Sequence, residues 1–227
     1  MSMDNKLMAT TLMLCIPCIL IIIRLLCVLP SVKASANSKQ TKHNILRNDK
    51  CQPTRIMALL GSGGHTGEMV RLLSDMELEK YQLTWLVSEG DSTSLLKARG
   101  VEESKTLSKA EFIVLARARK VGEPLVLSLF STLRSLYSTA TKLYKTALPD
   151  ILLINGPGTC VPVAYFLFFL RFVGLGHTRI VYIESMARVN GLSLSGKLVL
   201  PICDRFVVQW RPLAVKYHRA EYYGLLI

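Results

Sequence analysis

The chain has 227 residues, half of them hydrophobic, and its 28 lysine and arginine residues outnumber its 16 aspartate and glutamate residues, giving a net charge of +12. This length allows one ordinary domain with short additions, and the positive charge favours an acidic partner such as nucleic acid, an anionic membrane or a phosphorylated substrate. The few aromatic residues and the lack of zinc-finger, RNP or basic-zipper patterns argue against nucleic acid, so a membrane and a phosphorylated substrate are expected.

Residues 1–30 are predicted to form a transmembrane anchor. Residues 8–29 are an apolar run of about 22 residues, enough to cross a bilayer at 1.5 Å per residue, and Arg24 lies where its side chain can reach the headgroups. A cleaved signal peptide is the alternative, because Ala34, Ser35 and Ala36 resemble a cleavage site. The run is long for such a peptide, and Arg24 and Pro30 separate it from that site, so a retained anchor is favoured.

Residues 31–54 are predicted to form a basic, flexible linker. They are rich in lysine, serine, asparagine and glutamine, whereas few charges precede the apolar run. By the positive-inside rule, this bias places the N-terminus in the lumen and the rest of the chain in the cytosol. The lysines could contact anionic lipids or be solvated.

Residues 55–227 are predicted to form one α/β domain. Short apolar runs alternate with helical patterns, and several runs are nearly continuous in valine, isoleucine and leucine, as in strands covered on both faces. The expected fold is a Rossmann-like, mostly parallel sheet with its binding crevice at the carboxyl ends of the strands. The predicted strands are 56–60, 83–87, 112–115, 151–154, 179–183 and 206–209.

Two of the predicted helices are unusually apolar. Residues 124–148 have apolar side chains at helical spacing and basic ones among serines and threonines on the other side. This amphipathic helix could pack on the sheet or lie on a membrane surface. Residues 161–175 are almost wholly apolar but too few to cross a bilayer, which predicts a buried or membrane-dipping helix.

A glycine loop follows the first predicted strand and opens a helix. Such a loop allows positive φ angles and presents free helix N–H groups, which suit an anionic or polyhydroxyl ligand. His65 lies in the loop and is a candidate general base, with capping or packing as its alternative role. The other candidate ligand-binding residues here are Gly61, Ser62, Gly63, Gly64 and Thr66.

A second loop follows the strand at 151–154, and its candidate binding residues are Asn155, Gly156, Gly158 and Thr159. Two such loops at a switch point of a parallel sheet would direct two helix N-termini at one ligand. Asn155 could instead serve only as a turn former.

A third cluster follows the strand at 179–183. Glu184 could accept hydrogen bonds from a sugar or act as a base, Arg188 could bind a phosphate, and Ser185 lies between them. A structural ion pair between Glu184 and Arg188 is the alternative.

Two common nucleotide-binding patterns are incomplete. The first glycine loop has Thr66 where the dinucleotide fingerprint needs its third glycine, although Glu89 stands where a ribose-binding acid would. Residues 191–198 approach a Walker A loop, but Leu198 replaces the serine or threonine that would hold magnesium. No Asp-x-Asp pair occurs either, so neither a cofactor nor a metal is expected.

Six segments together resemble a known family: 60–69, 117–119, 155–159, 182–185, 195–197 and 204–210, including Leu-Gly-Ser-Gly-Gly-His-Thr-Gly-Glu-Met and Asn-Gly-Pro-Gly-Thr. The resemblance is to the membrane-anchoring subunits of the two-chain UDP-N-acetylglucosamine (UDP-GlcNAc) transferase of asparagine-linked glycosylation. It implies the acceptor-side, N-terminal half of a GT-B glycosyltransferase at the endoplasmic reticulum membrane. The reaction implied is addition of the second GlcNAc to dolichyl-diphosphate-GlcNAc.

The resemblance also implies which of the two chains binds each substrate. UDP-GlcNAc would sit mainly on a separate soluble catalytic subunit, while this chain would hold the lipid-linked acceptor, with His65 or Glu184 as the base. The apolar C-terminal tail would dock on that partner, with burial in its own domain as the alternative. The tail residues are Tyr222, Tyr223, Leu225, Leu226 and Ile227. Two other functions remain open: a membrane scaffold without active-site groups, and an anchored NAD-dependent oxidoreductase.

Overall fold

The computed structural model describes residues 3–30, 53–105, 110–118 and 125–226. The predicted linker falls almost entirely on residues 31–52, outside the described residues, as do Arg119 of the 117–119 segment and Ile227 of the tail.

In the described part of the chain, the domain is built on one parallel sheet of seven strands. Its order is β3-β2-β1-β4-β5-β6-β7, so the chain moves outward from β1 in one direction and then from β4 in the other. The six predicted strands and their parallel arrangement are confirmed. The strands are β1 Thr54–Leu60, β2 Tyr81–Ser88, β3 Glu111–Leu115, β4 Ile151–Ile154, β5 Arg179–Ile183, β6 Arg205–Val208 and β7 Ala220–Tyr222.

The seventh strand, β7, is missing from the sequence prediction. It has three residues, Ala220, Glu221 and Tyr222, and its burial pattern shows none of them fully buried. An edge strand this short offers too few apolar positions for a period of two to be recognised.

Helices cover both faces of the sheet, which explains the nearly continuous apolar strands. Buried residues of α2 and α3 form one core with the sheet, and buried residues of α4, α5, α6 and α7 form the core on the other face. A short 3-10 turn, Leu78–Lys80, precedes β2. The helices are α1 Met3–Val28, α2 Gly64–Ser74, α3 Ser92–Ser104, α4 Leu125–Leu143, α5 Cys160–Val173, α6 Leu194–Val199 and α7 Arg211–Lys216.

Helix α1 covers the predicted anchor and touches the domain at its C-terminal end. Arg24 Nε donates to the carbonyl of Phe172 at 2.9 Å, and its Nη2 donates to that of Arg171 at 3.2 Å, both at the end of α5. Val28 is buried in the core. Across the described residues, no helix combines the length and the apolar character that crossing a membrane requires.

Helix α4 faces the domain with its small polar side chains rather than its apolar ones. Ser135 and Thr139 are fully buried, and Ser135 Oγ donates to the carbonyl of Ala116 at 2.8 Å. The apolar face points outward instead, although Leu143 is buried. Packing of that whole face on the sheet was therefore the wrong alternative. Its exposed members are Leu129, Phe130, Leu133, Leu136, Tyr137 and Tyr144.

Candidate functional site

The two glycine loops lie side by side, as predicted, because β1 and β4 are neighbours and point the same way. This is the switch point of the sheet, where the carboxyl ends of parallel strands leave a crevice. Asn155 Nδ2 donates to the carbonyl of His65 at 2.8 Å and so joins the loops directly. A Cβ on Gly61 would lie 2.7 Å from Pro157, so this buried glycine permits the close contact between loops.

The N-terminus of α2 is the part of the site that is open to a ligand. Ser62, Gly63 and Gly64 are exposed. Gly63 precedes the helix with φ 68°, and no side chain caps the helix end. The first N–H groups of a helix have no intrahelical acceptor, so they are free to bind an anion.

His65 stands beside this open helix end, against the second glycine loop. A Cβ on Gly156 would lie 2.3 Å from His65 Cε1, so only glycine fits here, and Gly156 also has a φ of 67°. The His65 side chain is 33% exposed, yet its Nδ1 is buried and has no hydrogen-bond partner among the residues that the structure describes. Nε2 is not among the buried atoms that lack a hydrogen bond, so it is the better candidate of the two ring nitrogens for contact with a substrate.

Glu68 is the residue of this site that the sequence analysis missed. One carboxylate oxygen accepts hydrogen bonds from Ser185 Oγ at 2.8 Å and from the Met186 N–H at 3.1 Å. The other accepts from Asn155 Nδ2 at 3.4 Å and lies 3.6 Å from His65 Nδ1. Its spacing of three residues from His65 on a helix was the available signal, because residues at i and i+3 share a face.

Four predicted binding side chains are buried and hydrogen-bonded within the protein: Thr66, Asn155, Thr159 and Ser185. Thr66 Oγ1 shares a 2.6 Å hydrogen bond with Ser94 Oγ, which joins α2 to α3. Thr159 Oγ1 accepts hydrogen bonds from Ser88 Oγ and from the Ala118 N–H, both at 3.4 Å. These buried contacts hold the loops in place on their inner side. Gly158, in contrast, is exposed at the surface of its loop.

Glu184 is completely buried, unlike His65. Its carboxylate accepts hydrogen bonds from the Ser193 N–H at 3.0 Å and Ser193 Oγ at 3.2 Å. A Cβ on Gly196 would lie 2.5 Å from Glu184 Oε2, and Tyr182 shares a 2.9 Å hydrogen bond with Ser193. This geometry favours a structural role, holding residues 191–196 in place, and the catalytic role predicted for Glu184 stays a prediction.

Burial also governs the ionisation of two neighbours of Glu184. Removal from water raises the pKa of the Cys160 thiol and of the Tyr182 phenol, and the nearby Glu184 raises both further. Both groups therefore stay neutral at physiological pH, which suits packing rather than proton transfer.

Arg188 is exposed and forms no ion pair with Glu184, so the predicted structural alternative for this pair is wrong within the described residues. It remains free to reach an anion. Among the described residues, no cluster of three histidine, cysteine or acidic side chains could hold a metal ion.

The C-terminal tail follows the edge strand β7. Tyr222, Tyr223 and Leu225 are exposed, and the Leu226 N–H donates to Oε1 of the buried Gln209 at 3.0 Å. The tail is thus held to the domain at Leu226 while its apolar side chains face outward.

The arrangement of strands, loops and helices has counterparts among known proteins. Over 78% of its length the chain is similar to the crystal structure of Arabidopsis thaliana UGT89C1 complexed with quercetin, with a TM-score of 0.51 and 13% identity. It spans about half (51%) of that structure. At this identity the likeness concerns the fold alone, and it supports the Rossmann-like α/β assignment.

Sequence relatives cover far more of the chain. The chain is 50% identical, over the full length of both proteins, to the UDP-N-acetylglucosamine transferase subunit ALG14 of Debaryomyces hansenii. It is 34% identical to the subunit of the same name from Rattus norvegicus, across 81% of this chain and 89% of that protein. The family model described as oligosaccharide biosynthesis protein Alg14 like matches residues 56–226. The resemblance carried by the six segments is thereby confirmed, and the chain belongs to the Alg14-like family of oligosaccharide biosynthesis proteins.

Proposed function

We propose that this chain is the membrane-anchoring, acceptor-binding subunit of a two-chain UDP-GlcNAc transferase. It presents dolichyl-diphosphate-GlcNAc at the cytosolic face of the endoplasmic reticulum and receives the second GlcNAc from UDP-GlcNAc held mainly by a soluble catalytic subunit. The observation that carries this proposal is the uncapped N-terminus of α2 beside the partly exposed side chain of His65. In this proposal, an anion site and a base therefore lie together at the switch point of the sheet.

The site suggests a direct route for the transfer. The diphosphate of the acceptor lies against the free N–H groups at Gly63 and Gly64, where the helix dipole favours negative charge. The acceptor hydroxyl oxygen attacks the anomeric carbon of the donor sugar, and the bond from that carbon to UDP breaks on the opposite side. His65 Nε2 takes the hydroxyl proton.

In this proposal a second chain completes the enzyme, because the relatives that the chain matches are named as subunits of a UDP-N-acetylglucosamine transferase. The donor half of a GT-B enzyme would therefore be supplied in trans. The exposed apolar side chains of Tyr222, Tyr223 and Leu225, held at the edge of the sheet by the bond between Leu226 and Gln209, form a docking surface for it.

Two exposed apolar surfaces support contact with a membrane. Ile19, Leu20 and Ile23 of α1 are more than half exposed. The outward face of α4 carries leucines and aromatic residues, with the exposed basic residues Arg134 and Lys142 beside them. Apolar side chains bordered by positive charge suit an anionic bilayer surface.

A transfer assay tests the proposal. Purified chains are incubated with dolichyl-diphosphate-GlcNAc and radiolabelled UDP-GlcNAc, each chain alone and then both together. We expect product only from the mixture, and His65→Ala in this chain should lower its rate by about 10²-fold or more. Product from the partner alone at the full rate would contradict an acceptor-binding role for this chain.

A membrane scaffold without active-site groups is the second candidate, favoured by the exposed tail and helices. Deletion of residues 225–227 should abolish co-purification of the partner under both proposals. His65→Ala separates them, because a scaffold variant that still recruits the partner would transfer sugar at the normal rate.

A further inference from the structure

Glu68 collects hydrogen bonds from the loops that follow β4 and β5, although it lies on α2. Ser185 Oγ and the Met186 N–H reach one oxygen at 2.8 and 3.1 Å, and Asn155 Nδ2 reaches the other at 3.4 Å. Its side chain is only 15% exposed. The carboxylate is thus held in one orientation by groups that themselves belong to the walls of the site.

The same carboxylate faces the buried side of the His65 ring. Glu68 Oε2 lies 3.6 Å from His65 Nδ1, and Nδ1 is buried with no hydrogen-bond partner in the part of the chain that the structure describes. A buried ring N–H without an acceptor is unfavourable, and Glu68 Oε2 is an acceptor that a small shift of the His65 ring would bring within hydrogen-bond distance. The neighbouring Gly156 leaves room for the ring, because a Cβ at this position would lie 2.3 Å from His65 Cε1.

An acceptor at Nδ1 determines what Nε2 can do. A neutral imidazole carries one proton, and the nitrogen that is hydrogen-bonded to a carboxylate keeps it. Nε2 is then left with its lone pair, as proton abstraction requires.

We propose that Glu68 is a positioning residue that holds His65 with its Nδ1–H directed at the carboxylate and its Nε2 free to accept a proton. The inference rests on the proposed role of His65 as the base. Glu68 acts through His65, touches neither substrate, and orients the ring while its other hydrogen bonds keep the three loops together.

The test uses the full-length chain in complex with its catalytic partner. Glu68→Gln keeps the size of the side chain and an oxygen for Ser185 and Met186, but it removes the charge and replaces one acceptor oxygen by an N–H₂ group. We expect kcat to fall by about 10²-fold with the KM for UDP-GlcNAc changed less than about twofold. Glu103→Gln, an exposed glutamate on α3, is the matched control and should keep the normal rate.

A double variant distinguishes positioning from a general effect on the loops. If Glu68 works through His65, then His65→Ala with Glu68→Gln is no slower than His65→Ala alone, because residues that act as a unit are non-additive. Losses that multiply, or a normal kcat in Glu68→Gln, would overturn the inference while leaving the proposed function in place. A normal rate in His65→Ala alone would remove the base assignment and this inference with it.

Partner co-purification and the thermal unfolding midpoint, measured on the same preparations, identify a folding defect. Should Glu68→Gln fail either measure, Glu68→Asp replaces it. The aspartate keeps the charge but withdraws it from Nδ1, so the same fall in kcat is expected, and a normal kcat would again overturn the inference.

Discussion

In two places in this domain a glycine lies against an ionisable side chain. One of these side chains is partly exposed and the other is buried. At the switch point, Gly156 leaves room for His65, whose side chain stays 33% exposed. After β5, Gly196 of α6 leaves room for Glu184, which is completely buried. The comparison shows that the neighbouring segments decide whether a polar residue beyond a parallel strand is open to solvent or enclosed.

The largest expected effect is that of Gly156→Ala. The new Cβ would lie 2.3 Å from His65 Cε1 at a φ of 67°, so the ring must move or the loop must rearrange. A displacement of about 1 Å at a reacting group can lower the rate by about 10²-fold. We expect a loss of at least this size in kcat/KM in the reconstituted transfer assay.

Gly67→Ala is the matched control for this variant. Gly67 lies in α2, and no atom outside its immediate surroundings lies within 4 Å of a Cβ placed there. Alanine favours helix over glycine by up to about 1 kcal/mol, so the control should be active and slightly more stable. Equal activity in the two variants would show that the ring position does not matter.

Glu184→Gln tests the buried member of the comparison. The amide keeps one acceptor but places an N–H₂ group near Ser193, whose N–H and hydroxyl both point at the carboxylate. Loss of such a buried, charge-assisted bond lowers the free energy of unfolding by about 1.5–3 kcal/mol. Denaturant unfolding measures this change.

The activity of the folded fraction decides the role of Glu184. If its carboxylate only holds residues 191–196, kcat per folded molecule stays within about threefold of normal. A kcat that falls by 10²-fold with unchanged stability would instead make Glu184 a catalytic group, and the distinction between the two pairs would be wrong.

Thr66→Val tests whether a buried residue of the first glycine loop has a structural role or contacts the substrate. Thr66 is buried against Ser94, which keeps other hydrogen bonds to Asp91 and to the carbonyl of Gly61. We expect a loss of stability of about 1 kcal/mol with the KM for the lipid acceptor unchanged. A raised acceptor KM at normal stability would show that Thr66 contacts the substrate after all.

The smallest expected effect is a loss of stability at alkaline pH, caused by Tyr182 on β5. Burial raises the pKa of Tyr182 above its ordinary value of 10.0, so the unfolded chain releases the phenol proton at a lower pH than the folded chain does. This contribution to stability is complete below about pH 10 and is lost as the pH rises further. Tyr182→Phe should therefore lose less stability than the native chain between pH 9 and about 11, as measured by denaturant unfolding; an equal loss would contradict this assignment.

Much of the fold was predictable from local patterns. Apolar runs located six of the seven strands, and the glycine loops marked where β1 and β4 end. The orientation of α4 was not predictable, because its periodicity identifies an apolar face without saying what that face contacts. Ser135 and Thr139 are buried only because they pack at the end of β3 and find acceptors there or within the helix.

The candidate site was also predictable only in part. Neighbouring parallel strands bring the loops holding His65 and Asn155 together, as the sequence analysis expected for two glycine loops at the switch point of a parallel sheet. Glu68 carries no signal beyond its spacing from His65, because its partners Ser185 and Met186 lie more than 100 residues away.

The sequence by itself determined the α/β class, the family and the positions of the two glycine loops, since these depend on residue type and short-range spacing. Only the tertiary structure decided which polar residues face outward, because burial depends on what the other loops place above each strand end. It left His65 partly exposed, enclosed Glu184 and brought Glu68 to Ser185 and Met186, since contacts among distant segments determine the solvent exposure of a side chain.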